Sequence, residues 1–80
     1  MSDLLADVQV DARRLLCPMP VIRVQAAVRG KRAGQVLSVK ATDPGVMHDI
    51  PAWCRVQGHE FLGSELTGLE ICLWLRVGAP

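Results

Sequence analysis

Tyrosine is absent from this sequence, phenylalanine occurs once and tryptophan twice, so aromatic residues make up 4% of the chain. Aliphatic side chains must therefore supply nearly all of the packing. The stacked aromatic platform on which single-stranded nucleic acid rests is missing as well. An excess of one charge is also lacking: nine basic residues face eight acidic ones, for a formal net charge of +1. That balance excludes an overall electrostatic case for direct nucleic-acid binding. No run reaches the roughly 18 to 20 apolar residues of a membrane span, and the longest comparable stretch, Leu15 to Ile22, is broken by two prolines. Met1-Ser2-Asp3 carries no basic segment ahead of an apolar one, so no secretory signal is expected. The expectation is a cytoplasmic protein with no membrane contact.

Cysteine is scarce and odd in number: Cys17, Cys54 and Cys72. They have no metal-type spacing and make a poor disulfide framework, so free thiols in a reducing compartment are expected. What the chain does have is apolar content, 50% of 80 residues with 21% charged. Disorder is excluded by that ratio. A chain of this length buries roughly 60% of its unfolded surface, enough for one two-layer core and no deep pocket. Residues 1–80 therefore read as a single domain.

Turn signals divide the chain cleanly. Val8-Gln9-Val10-Asp11 alternates as a short strand with both valines inward. Cys17-Pro18-Met19-Pro20 opens a helix on which Val21, Val24 and Val28 recur at helical spacing, and Gly30 to Gly34 stops it. Val36 to Ala41 is a second strand. Asp43 and Pro44 then read as N-cap and first position of a second helix that ends at Gly58. Pro51 predicts a kink in it, or a helix restarting near Asp49. His59 to Leu66 is a third strand and Thr67-Gly68 a turn. In the last strand Leu69, Ile71, Leu73, Leu75 and Val77 point one way, and Glu70, Cys72, Trp74 and Arg76 the other. The order β-α-β-α-β-β predicts an α/β two-layer sandwich: a mixed four-stranded sheet with two helices on one face.

Cys17 is the most informative residue. The residue before a proline is driven from helical dihedrals, whereas proline fits a first helical turn, which puts Cys17 at the N-cap and Pro18 at the first position. Its sulfur then lies by the free amides of the first turn, those of Met19 and Val21, and the helix dipole favours thiolate. Arg13, Arg14 and Arg23 are the cations placed by sequence to add to that field. A low-pKa thiolate there suits attack on a donor's persulfide. The residues alone leave a second reading open, in which Cys17 is a small buried hydrophobe closing the helix end.

The stretch Asp11-Ala12-Arg13-Arg14-Leu15-Leu16-Cys17-Pro18-Met19-Pro20-Val21-Ile22 resembles the signature of the TusA/SirA family of small sulfur-carrier proteins, whose mark is Cys-Pro-x-Pro. The segment from Thr42-Asp43-Pro44-Gly45 through Asp49-Ile50-Pro51-Ala52-Trp53-Cys54 to Gly58-His59 resembles that family's second helix. The resemblance spans Val8 to Val77. It implies a sulfurtransferase in which Cys17 accepts sulfur as a persulfide from a cysteine desulfurase or rhodanese-type donor and passes it to an acceptor protein, of DsrE/TusD type or another. It implies tRNA thiolation, cofactor sulfuration or sulfur oxidation as pathways. The covalent sulfur is the cargo, so no metal or organic cofactor is expected. Arg14 departs from the family's pattern, which commonly has glycine there, and implies either an altered turn or a strained one.

The remaining candidates have plainer readings. Cys54 reads as a packing residue, against a rival role in a redox pair with Cys17. Cys72 reads as a tolerated thiol on the outward sheet face. Trp74 beside it is a candidate partner surface, because aromatic residues concentrate at interface centres. His48 and His59 match no zinc spacing and read as solvated or capping. Arg13, Arg14, Arg23, Arg29, Lys31 and Arg32 bracket the first helix, either as solvated charge or as a docking face for an acidic patch. The rival to sulfur transfer is a regulatory binding module that uses the Cys-Pro-x-Pro loop without carrying sulfur.

Overall fold

The computed structural model describes residues 6–78. The Met1-Ser2-Asp3 start, on which the expected lack of a signal rests, lies outside them. Elements follow in the order β1 (Val8–Ala12), α1 (Met19–Val28), β2 (Val36–Ala41), α2 (Val46–Gln57), β3 (Glu60–Thr67) and β4 (Glu70–Arg76). The strands form one mixed sheet, β1-β2-β4-β3. β1 and β2 are parallel, with Val8 opposite Leu37 and Ala12 opposite Ala41. β4 runs antiparallel to both β2 and β3. The expected α/β sandwich is the observed one.

Each helix buries one stripe. In α1, Pro20 and Val24 are buried, while Val21, Ala27 and Val28 are partly so. In α2, Val46, Ile50 and Cys54 recur at intervals of four and go fully into the core, where Leu37, Val39, Leu73 and Leu75 meet them from the two central strands. Helix cover on one face of β2 and β4 explains the apolar and polar alternation of the last strand. α2 stops at Gly58, whose φ of 81° suits glycine and whose left-handed turn lets the His59 amide donate to the Cys54 carbonyl at 2.8 Å.

Four expectations need correction. α1 begins at Met19 with Pro18 as N-cap, one residue later than predicted, because the Met19 amide already closes a turn onto the Leu16 carbonyl at 2.8 Å. α2 begins at Val46, not Pro44: a tight turn over Asp43 to Val46 precedes it, and Pro51 lies inside a single helix rather than one restarted near Asp49. Leu69 is 87% exposed because it belongs to the β3–β4 turn and not to the inward row. Trp74 is only 7% exposed. It is on the outward row as expected, but it lies between Ser38 on β2 and Gly63 on β3, so no bulky cross-strand neighbour props the indole into solvent. Trp74 is thus packing and not an exposed docking residue.

Candidate functional site around Cys17

The carboxyl ends of parallel β1 and β2 lie side by side, and the loops that follow them meet. This is the end of a parallel pair at which α/β folds assemble their sites. Two backbone-to-side-chain hydrogen bonds join the loops: the Arg14 amide donates to Thr42 Oγ1 at 2.9 Å, and the Cys17 amide donates to Asp43 Oδ2 at 3.0 Å. Asp43 Oδ1 accepts from the Gly45 amide at 3.3 Å, so one carboxylate braces the Cys17 turn and the entry to α2 together. The Cys17–Pro18 peptide is cis.

Cys17 is exposed, and its Sγ donates to Asp49 Oδ2 at 2.6 Å. Asp49 is half-buried in the first turn of α2. This contact overturns the expected thiolate. The hydrogen bond to the Asp49 carboxylate pushes the Cys17 thiol above its ordinary value, with desolvation and the negative charges of Asp49 and Asp43 acting in the same direction. The Met19 amide, spent on Leu16, is not free to offset them. At rest Cys17 is a thiol held against a carboxylate.

Two of the three predicted cations, Arg13 and Arg23, are engaged by partners other than the sulfur. Arg13 Nε donates to Asp11 Oδ1 at 2.9 Å and its Nη1 meets Glu70 Oε2 at 3.4 Å. That pairing holds the Asp11 carboxyl well below the usual carboxylate range, chiefly through the Arg13 side-chain hydrogen bond. Arg23 Nη1 donates to the Asp11 carbonyl oxygen at 3.0 Å. Arg14 is exposed with a φ of 65°, so its turn is the strained alternative of the two the sequence offered. Of the helix-start residues, Pro20 is buried, while Pro18 and Met19 are exposed beside Cys17. Leu16, Met19 and Ile22 on the α1 side and Met47 on the α2 side are all solvent-exposed apolar residues.

The other candidates are structural. Cys54 is in the core, and burial pushes its thiol up to about 11. Cys72 is half-buried and level with Lys40 and Glu65 on the outward face. His59 Nδ1 accepts from the Gly78 amide at 3.0 Å, and its ring lies 5.0 Å from that of Trp53. Asp49 is the residue in contact with the sulfur that composition and spacing missed. Its signal was the second resembling segment, which contains both Asp43 and Asp49 and lies against the first.

A two-layer sandwich with an exposed cysteine in a turn at the adjoining ends of two parallel strands defines the class: a small α/β domain that presents a thiol at its surface. Comparison with known proteins specifies the family. The family model for the sulfurtransferase TusA matches residues 8–77. The sulfur carrier protein TusA of Pseudomonas entomophila is 43% identical over 76 residues, covering 95% of each chain. The putative sulfur carrier protein YrkF of Bacillus subtilis is 40% identical over 73 residues, although this chain spans only 40% of its length. The crystal structure of a SirA-like protein from Desulfitobacterium hafniense superposes with a TM-score of 0.72 at 25% identity, covering 90% of this chain and 99% of that one. The chain belongs to the TusA family of sulfur carriers. Among the described residues no helix is long and apolar enough to cross a membrane.

Proposed function

We propose that this protein carries sulfur between proteins as a persulfide on Cys17. The observation that supports this most is the exposed Cys17 sulfur with a carboxylate against it, at a turn that two loop-to-loop hydrogen bonds hold in place. A thiol must lose its proton to attack a persulfide, and Asp49 is within reach to receive it. The site is an open surface, so the sulfur arrives and leaves on other proteins: a donor of cysteine desulfurase or rhodanese type and an acceptor protein. Leu16 and Met19, exposed next to Cys17, give those partners an apolar contact. No resident cofactor is needed, since the transferred sulfur is the cargo. The relay ends in tRNA thiolation, cofactor sulfuration or sulfur oxidation.

Transfer of radiolabelled sulfur from a cysteine desulfurase fed with labelled cysteine tests the role. Label should appear on the wild-type chain, disappear in Cys17→Ser, persist in Cys72→Ser, and move on when an acceptor protein is added. Equal labelling of Cys17→Ser would refute it.

A further inference from the structure

We infer that Asp49 is the proton acceptor and donor for sulfur transfer at Cys17, a role that rests on the persulfide-carrier reading above. The observation is geometric: Cys17 Sγ donates to Asp49 Oδ2 at 2.6 Å across two separate elements, and the first turn of α2 fixes the carboxylate's position. Asp43, the other carboxylate at the site, is already engaged by the Cys17 and Gly45 amides, so it is braced where Asp49 is poised. Arg13 and Arg23 are turned to Asp11. The charges that hold the proton on the thiol are those of Asp49 and Asp43.

The step balances without an external oxidant. Cys17 Sγ attacks the terminal sulfur of a donor persulfide as its proton passes to Asp49. A bond forms between Sγ and that sulfur, and the donor's own sulfur–sulfur bond breaks. The donor cysteine leaves as a thiolate and takes the proton back from Asp49. Cys17 sulfur is oxidised and the donor cysteine sulfur is reduced, one for the other. In the reverse direction the same carboxyl serves the acceptor's thiol. A carboxylate that only raised the thiol's basicity would slow every reaction of Cys17. One that shuttles the proton slows reactions with electrophiles that need no proton back, and speeds transfer to and from sulfur.

The test separates those two effects in the intact chain. Modification of Cys17 by iodoacetamide is followed by peptide mass spectrometry from about pH 6 to 10, a span over which an ordinary cysteine goes from thiol to thiolate. Uptake of sulfur from glutathione persulfide is followed in parallel, in wild type, Asp49→Asn and Asp49→Glu. Asp49→Asn should move the alkylation profile to lower pH. The larger thiolate fraction outweighs the lower nucleophilicity of a less basic sulfur, so alkylation at neutral pH should be faster than in wild type. Sulfur uptake should fall by about tenfold or more, and Asp49→Glu should restore part of it. If uptake rises with alkylation, or the alkylation profile does not move, the proton role is overturned. Uptake in wild type that Asp49→Asn leaves unchanged would sink the proton role alone. A wild-type chain that takes up no sulfur would sink the carrier reading and this role with it.

Discussion

Replacing Arg14 with glycine should make the protein more stable, although it deletes a whole side chain. Arg14 holds a φ of 65°, a region that costs an ordinary residue about 1–2 kcal/mol through the clash of Cβ with the following carbonyl. Glycine has no such penalty but loses more chain entropy on folding, about 0.5–1 kcal/mol. The difference is a gain of about 0.5–1 kcal/mol. The backbone bond from residue 14 to Thr42 Oγ1 survives, since it uses the amide. For a domain of this size such a gain raises Tm by about 2–8 °C. Thermal and urea unfolding followed by circular dichroism provide the assay, with an unchanged urea m value confirming that the unfolded state has not shifted. Arg14→Ala is the control: it removes the same side chain and keeps the strain, so it should stay within about 0.5 kcal/mol of wild type. A glycine variant no more stable than the alanine one would refute the claim that this turn is strained.

Three further outcomes follow from the same geometry. Asp43→Ala removes the acceptor shared by the Cys17 and Gly45 amides, so it should cost about 1–2 kcal/mol in urea unfolding and speed hydrogen exchange at the Cys17 amide. Trp74→Ala should cost about 3 kcal/mol, because the indole is nearly fully buried; an effect under about 0.5 kcal/mol would return it to the exposed surface. The buried Cys54 thiol is raised from 9.0 to about 11, so its contribution to stability is complete below the lower value and is lost as pH climbs toward the higher one. Between about pH 8 and 10.5 the wild type should lose more stability than Cys54→Ala, and an equal loss would contradict burial as the cause.

Much of the architecture was legible because periodicity reports directly on which face is covered. The strand Val36 to Ala41 and the helix stop at Gly58 fall where alternation and glycine put them. Trp74 shows the limit of that logic. Alternation says which face a residue is on, whereas exposure depends on the size of its neighbours across the strands, here Ser38 and Gly63. The site was half legible. A cysteine before proline at a helix start is visible in the sequence, but its ionisation is set by Asp49, 32 positions away. Local reasoning about helix dipoles gave the wrong direction because one of the two first-turn amides it relied on, that of Met19, is bonded to Leu16 and the nearest charge is negative.

The most direct measurement is the mass of the tryptic peptide that contains Cys17, after incubation of the folded chain with a persulfide donor and blocking of free thiols. A persulfide carrier should show the addition of one sulfur atom on Cys17, with none on Cys54 or Cys72. A Cys17 peptide without added sulfur, or sulfur distributed over all three cysteines, would contradict it.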